Sequence, residues 1–320
     1  GWAVQITDEV GHALTSVLTS CTSLREFELR GHGQRPSFTM PALTQLDKVT
    51  LEYLDLRPES LHSLLSTVEQ ISLDGCETLQ QEGAEGAAQS DCLESWASAL
   101  RQNGRIRYLQ IVNHWGLELR DPEGMDEFVE AVSTRSTLEY LALSGYDHLY
   151  DPFEFKWRAT HMRKLGTMRN LQSLHIEMTR RCSGSFERLF EALLVPRPPN
   201  LRVLEVGTGF VLSDSDFREL LDFLSDPRCK MGEMSVSRPE EEIECTFHNA
   251  NIVNERYRSL IDVVKDKNIS LVEPINIALV EAGYKRELKF WCWMNIHCPN
   301  RLKLRCSGLT FALADEIAKL

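Results

Sequence analysis

The chain has 320 residues, 42% hydrophobic and 26% charged, with 35 Lys+Arg against 47 Asp+Glu and a net charge of −12. It holds no run of about 18 consecutive apolar residues, and its 18 Gly and 12 Pro are too few for a collagen-like or disordered chain. An acidic field repels phosphate backbones and anionic lipid, which excludes nucleic acid and membrane surfaces as expected partners and leaves protein.

The chain opens Gly1-Trp2, with no charged or apolar leader, and reads as an excised portion of a longer protein. From Trp2 to Leu18 the apolar stripe Val10, Leu14, Val17 and Leu18 has helical spacing and is expected to form an N-terminal cap. An apolar triplet at relative positions 1, 4 and 6 then recurs. Its copies are Leu24-Phe27-Leu29, Leu46-Val49-Leu51, Val68-Ile71-Leu73, Ile106-Leu109-Ile111, Leu138-Leu141-Leu143, Leu171-Leu174-Ile176, Leu201-Leu204-Val206 and Met231-Met234-Val236. A weaker ninth copy falls around Ile269 and Leu271. Successive copies begin 22, 22, 38, 32, 33, 30 and 30 residues apart, so the spacing predicts eight strands in register.

Between the triplets the apolar period changes to that of a helix. Leu93, Trp96, Ala97 and Leu100 form one stripe; Met125, Phe128, Val129 and Val132 form the next. Phe186, Leu189, Phe190 and Leu193 follow, then Phe217, Leu220, Leu221 and Leu224. Asp91, Asp121-Pro122 and Ser213 to Asp216 supply start signals; Asn103-Gly104, Pro196 and Asp226-Pro227 supply stops. Cys76 to Asp91, rich in Gln, Gly, Ala and Glu, is expected to be a mobile surface loop. Beyond the acidic run Glu240-Glu241-Glu242, a helix is expected through Ile252, Tyr257, Leu260, Ile261 and Val264, and the aromatic segment Glu287 to Asn295 is expected to form a lid over the last apolar edge.

The recurring L-x-x-L-x-L strand followed by a helix resembles the leucine-rich repeat. The long units resemble its ribonuclease-inhibitor-like subclass, found in NOD-like receptors and F-box substrate receptors. This sequence departs from the family in its irregular unit lengths. The usual Asn or Cys just past the strand is mostly absent, Asn113 and Cys76 coming closest. The resemblance implies an α/β fold, a curved solenoid with a parallel inner sheet and outer helices. Residues 1–239 would be the repeat array with its N-terminal helical cap, and 240–320 a terminal repeat with a C-terminal helical cap. Parallel strands stack about 4.8 Å apart while helices approach no closer than about 8–10 Å, so such stacking must curve. Burying three aliphatics per unit contributes at most about 5–7 kcal/mol.

Motifs for catalysis are few. There is no G-x-x-x-x-G-K-[ST], no G-x-G-x-x-G and no G-x-S-x-G; Gly207-Thr208-Gly209 lacks the third glycine and the lysine. Nine scattered cysteines, an odd number, read as reduced thiols in a cytoplasmic protein. Cys292, His297, Cys298 and Cys306 have gaps too wide for an ordinary zinc site and read as thiols of a cap. Cys182 with His175 and His161 could be drawn as a nucleophile and base, beside Arg180 and Arg181, but is expected to be structural. No enzyme, cofactor or metal is therefore expected.

Side chains alternate across a strand, so with positions 1, 4 and 6 inside, positions 3, 5 and 7 face the opening. Central strands then bring Tyr108 beside Tyr140, flanked by Gln110 and His175, with Trp115, Tyr146 and Glu177 just beyond. These seven residues are the expected partner-binding set of a non-catalytic interaction scaffold, aromatics being enriched where proteins bind. Two alternatives stay open: Tyr108 and Tyr140 as a cross-strand pair that only stiffens the sheet, and Trp115 as a buried loop anchor. The family likeness also implies a role as the substrate-recognition or sensing portion of a larger ubiquitin-ligase receptor or NOD-like sensor.

Overall fold

A computed structural model describes residues 8–31, 37–38, 45–78, 90–114, 122–145, 157–176, 188–206, 214–236, 250–268, 270–271 and 282–297. Helix α1 (Asp8–Ser20) leads into β1 (Glu26–Arg30), the two-residue β2 (Ser37–Phe38), β3 (Lys48–Glu52) and the two-residue β4 (Asp55–Leu56). Then come α2 (Pro58–Thr67), β5 (Gln70–Asp74), the short β6 (Glu77–Thr78), α3 (Ser90–Gln102), β7 (Tyr108–His114), α4 (Pro122–Ser133) and β8 (Tyr140–Gly145). The chain continues through α5 (Ala159–Gly166), β9 (Ser173–Ile176), α6 (Leu189–Leu194), β10 (Val203–Val206), α7 (Asp214–Ser225) and β11 (Glu233–Val236). Two helices, α8 (Ala250–Asp266) and α9 (Ala282–His297), close the described part.

This is an α/β fold with an eight-stranded parallel sheet, ordered β1-β3-β5-β7-β8-β9-β10-β11, and nine helices among the described residues. Each long strand pairs with its neighbours in sequence. The position-4 residues make one row, Phe27, Val49, Ile71, Leu109, Leu141, Leu174, Leu204 and Met234, every neighbour in register. The triplet residues from Leu46 to Met234 are buried and those of the first triplet half-buried, and they share one core with Trp96, Phe128 and Leu220 of the helices. Consecutive helices from α2 to α9 pack on one another, and among the described residues the helices line the triplet face and leave the other face open.

The helix stripes fall where their spacing puts them, with two differences. Val17 of α1 is 56% exposed, whereas Leu18 is buried and Leu14 packs against the core; the Val10 side chain lies outside the described residues. In α7, Phe223 is buried where Leu221 is only half-buried. Phe186 lies outside the described residues. Helices α2 and α5 and a second sheet, β2-β4-β6, were not anticipated. The Cys76–Asp91 stretch is ordered at both ends: Cys76 is buried with its thiol directed at the Leu51 carbonyl at 3.4 Å, β6 pairs with β4, and α3 starts at Ser90. Residues 79–89 lie outside the described part. Leu271 is buried but belongs to no strand, and Ile269 is outside the described residues.

Asparagines tie successive units together at the ends of helices and in the turns that follow them. Asn103, buried at the end of α3, donates to the Leu65 and Val68 carbonyls at 2.9 and 2.8 Å, and its oxygen accepts the Arg105 N–H. Asn268 donates to the Leu224 carbonyl at 2.8 Å and accepts from Ser270 and Leu271, while Asn295 donates to Leu271 at 2.6 Å. Asn200 reaches the Arg169 carbonyl at 2.7 Å in the same way. Each bond satisfies a carbonyl that a helix end or turn leaves open. Exposed ion pairs such as Arg107–Glu139 at 2.7 Å are screened by solvent and add little, so the buried amides matter more.

Two glycines are required by close approach. Gly75 has φ +61°, and a Cβ there would lie 2.5 Å from the Tyr53 ring. Gly166 ends α5 against α6; its Cβ would meet the Leu193 carbonyl oxygen at 2.2 Å.

Candidate partner-binding face

Position 3 of the long strands forms a row on the open face that runs through Glu26, Lys48, Gln70, Tyr108, Tyr140 and Ser173 to Glu233. Position 5 forms a second row through Glu28, Thr50, Ser72, Gln110, Ala142, His175 and Glu205. Charge thus sits toward the ends and aromatic rings at the centre.

Parallel strands about 4.8 Å apart hold two in-register rings at stacking distance. Tyr108 and Tyr140 are stacked accordingly, with centroids 4.0 Å apart and planes 7° from parallel. The residue opposite Tyr140 on β9 is the small Ser173, which lets the His175 ring, two positions on, come diagonally to 4.9 Å from Tyr140 at 35°. His175 Nδ1 lies 2.6 Å from Glu205 Oε2 on the next strand. The hydroxyl of Tyr108 donates to Gln110 Oε1 at 2.5 Å. Burial, and then the hydrogen bond to Tyr108, push the Tyr140 hydroxyl well above the ordinary tyrosine range, so it stays protonated. Four side chains of the expected set, Tyr108, Gln110, Tyr140 and His175, are therefore linked on one face. Trp115, Tyr146 and Glu177 lie outside the described residues.

Two residues expected on the open face are buried. Ala142 is 3% exposed although it is not part of the core cluster, since a methyl between Gln110 and His175 is overtopped by larger neighbours. Ser144, at position 7, is 6% exposed. On the far side of Tyr108 the short Thr50 and Ser72 leave a depression of about 270 Å³, lined also by Lys48, Gln70 and the Tyr108 ring. Two small hydroxyl residues in register between longer side chains were the sequence signal for it.

The drawn thiol site does not assemble from its two histidines. His161 is in the helix layer, with Nε2 2.5 Å from Asp126 Oδ1 of α4 and Nδ1 accepting the Arg158 N–H, whereas His175 is on the open face. Cys182 lies outside the described residues, as do Gly207-Thr208-Gly209, Cys298 and Cys306. Cys292 is buried, and the His297 ring packs 4.5 Å from Trp293. Among the described residues no three His, Cys, Asp or Glu side chains gather as a metal ion needs, and no helix is long and apolar enough to cross a membrane. No protein-family model matches the chain, and no curated protein matches it either.

Proposed function

We propose that the chain is a leucine-rich-repeat solenoid of the ribonuclease-inhibitor-like kind, acting as a non-catalytic scaffold that binds a protein partner on the open face of its sheet. The solenoid reading is supported by the strand order, which follows the sequence without a break, and by helices stacked on one face. With strands about 4.8 Å apart and helices about 8–10 Å apart, the open face is the concave one. A cytoplasmic location agrees with Cys21, Cys76, Cys229 and Cys292 carrying thiols, Cys229 held protonated by burial.

The observation that carries the binding role is the Tyr108–Tyr140–His175–Glu205 array: aromatic groups, pre-ordered by one another and by hydrogen bonds, on a face that none of the described helices covers. Rigid aromatics lose little entropy on binding, and that is what makes them interface anchors. The test is affinity capture with the intact chain, the Tyr108→Ala/Tyr140→Ala variant and a helix-face control, Lys164→Ala. The control should retain the partners of the native chain and the double variant should lose them while melting normally. Capture that survives the double variant removes the role from this face.

A further inference from the structure

We infer that the depression beside Tyr108 receives one isolated acidic side chain, a glutamate or aspartate, presented by the protein partner; this rests on the reading of the open face as the docking surface. Its size limits the occupant. About 270 Å³ is below the roughly 300–1,000 Å³ of small-molecule sites and suits a single side chain.

Its lining sets the chemistry. Lys48, Thr50, Gln70 and Ser72 line it with Val49 and Tyr108, so residues carrying an ammonium, an amide and two hydroxyls border one cavity and, among the described residues, no carboxylate residue does. Among the described residues Lys48 is paired to no carboxylate, whereas Arg30, four positions further along the register on the neighbouring strand, is paired to Glu52. The Tyr108 ring, fixed by its stack on Tyr140, is an apolar wall for the methylenes of a glutamate. A carboxylate in this cavity gains a charge-assisted bond to Lys48 together with neutral ones.

The surroundings restrict the ligand further. Glu26 and Glu28 stand next to Lys48 and Thr50 on β1, and the chain carries a net charge of −12, so an acidic run is repelled while a lone acid is accepted.

A random heptapeptide library displayed on phage is panned on the full chain, and enriched peptides are titrated by fluorescence anisotropy against wild type, Lys48→Gln and Tyr108→Ala/Tyr140→Ala. Enriched peptides should share one Asp or Glu. Changing that acid to its amide should weaken binding to wild type by about tenfold or more and should leave binding to Lys48→Gln unchanged. An exposed strand lysine tolerates glutamine, which a melt of Lys48→Gln checks. The inference falls if no peptide is enriched, if no acid is shared, or if the amide change weakens both proteins equally. Peptides lost by the tyrosine variant but indifferent to Lys48 overturn this site alone; peptides indifferent to both variants overturn the open-face reading with it.

Discussion

Burial holds His161 below the ordinary histidine range despite the pull of Asp126, and the nearby Arg158 and Lys164 charges act in the same direction as burial. Below a pH of about 6.5 the unfolded chain binds a proton that the folded chain resists, so this stabilisation is present above that pH and lost as pH falls. Melting temperature followed from about pH 8 to about pH 5 should drop below the ordinary histidine value, and His161→Gln should flatten the drop; an unchanged profile assigns it to another group. Asn103 acts at the same scale. Asn103→Leu strands two carbonyls and an N–H away from water, and urea unfolding should show a loss of about 3 kcal/mol. Such pins were not readable in the sequence, because the partner carbonyls lie 35 and 38 residues upstream and no local spacing marks them.

At the scale of the element, Gly166 sets the distance between α5 and α6. A methyl placed 2.2 Å from a backbone oxygen forces the helices apart, and Gly166→Ala should cost about 2 kcal/mol or more, read as a lowered melting temperature with helix content intact. Leu174, fully buried in the middle row of the sheet, should tolerate change least: Leu174→Asp strands a carboxylate in the core and should destabilise by at least about 4 kcal/mol. Near-normal melting of that variant would contradict the shared interior. The strands were legible because three apolar positions repeat in each of them. Helix α5 was not, because its inner face carries His161 and Gly166 beside Met162 and Leu165, which breaks the apolar stripe. The two-residue strands of the small sheet are too short to show any alternation.

At the scale of the whole molecule, the order of strands follows from the order of triplets, since each unit covers the apolar edge of the one before. The centre of the candidate site was legible for the same reason: Tyr108 and Tyr140 occupy the same position on adjacent strands. The His175–Tyr140 contact was less so, as it needs the small Ser173 to let the ring lean across, and the depression at Thr50 and Ser72 depends on what is missing from a row. Hydrogen exchange should follow burial, with β1, whose triplet is half-buried, exchanging faster than β7. Uniform protection across the sheet would speak against a graded end. The unbroken neighbour-to-neighbour order also has a mechanical meaning. A load applied across the sheet meets each rung in turn, never several rungs in parallel, so the molecule should peel open stepwise under tension as a zipper does and give way at modest force.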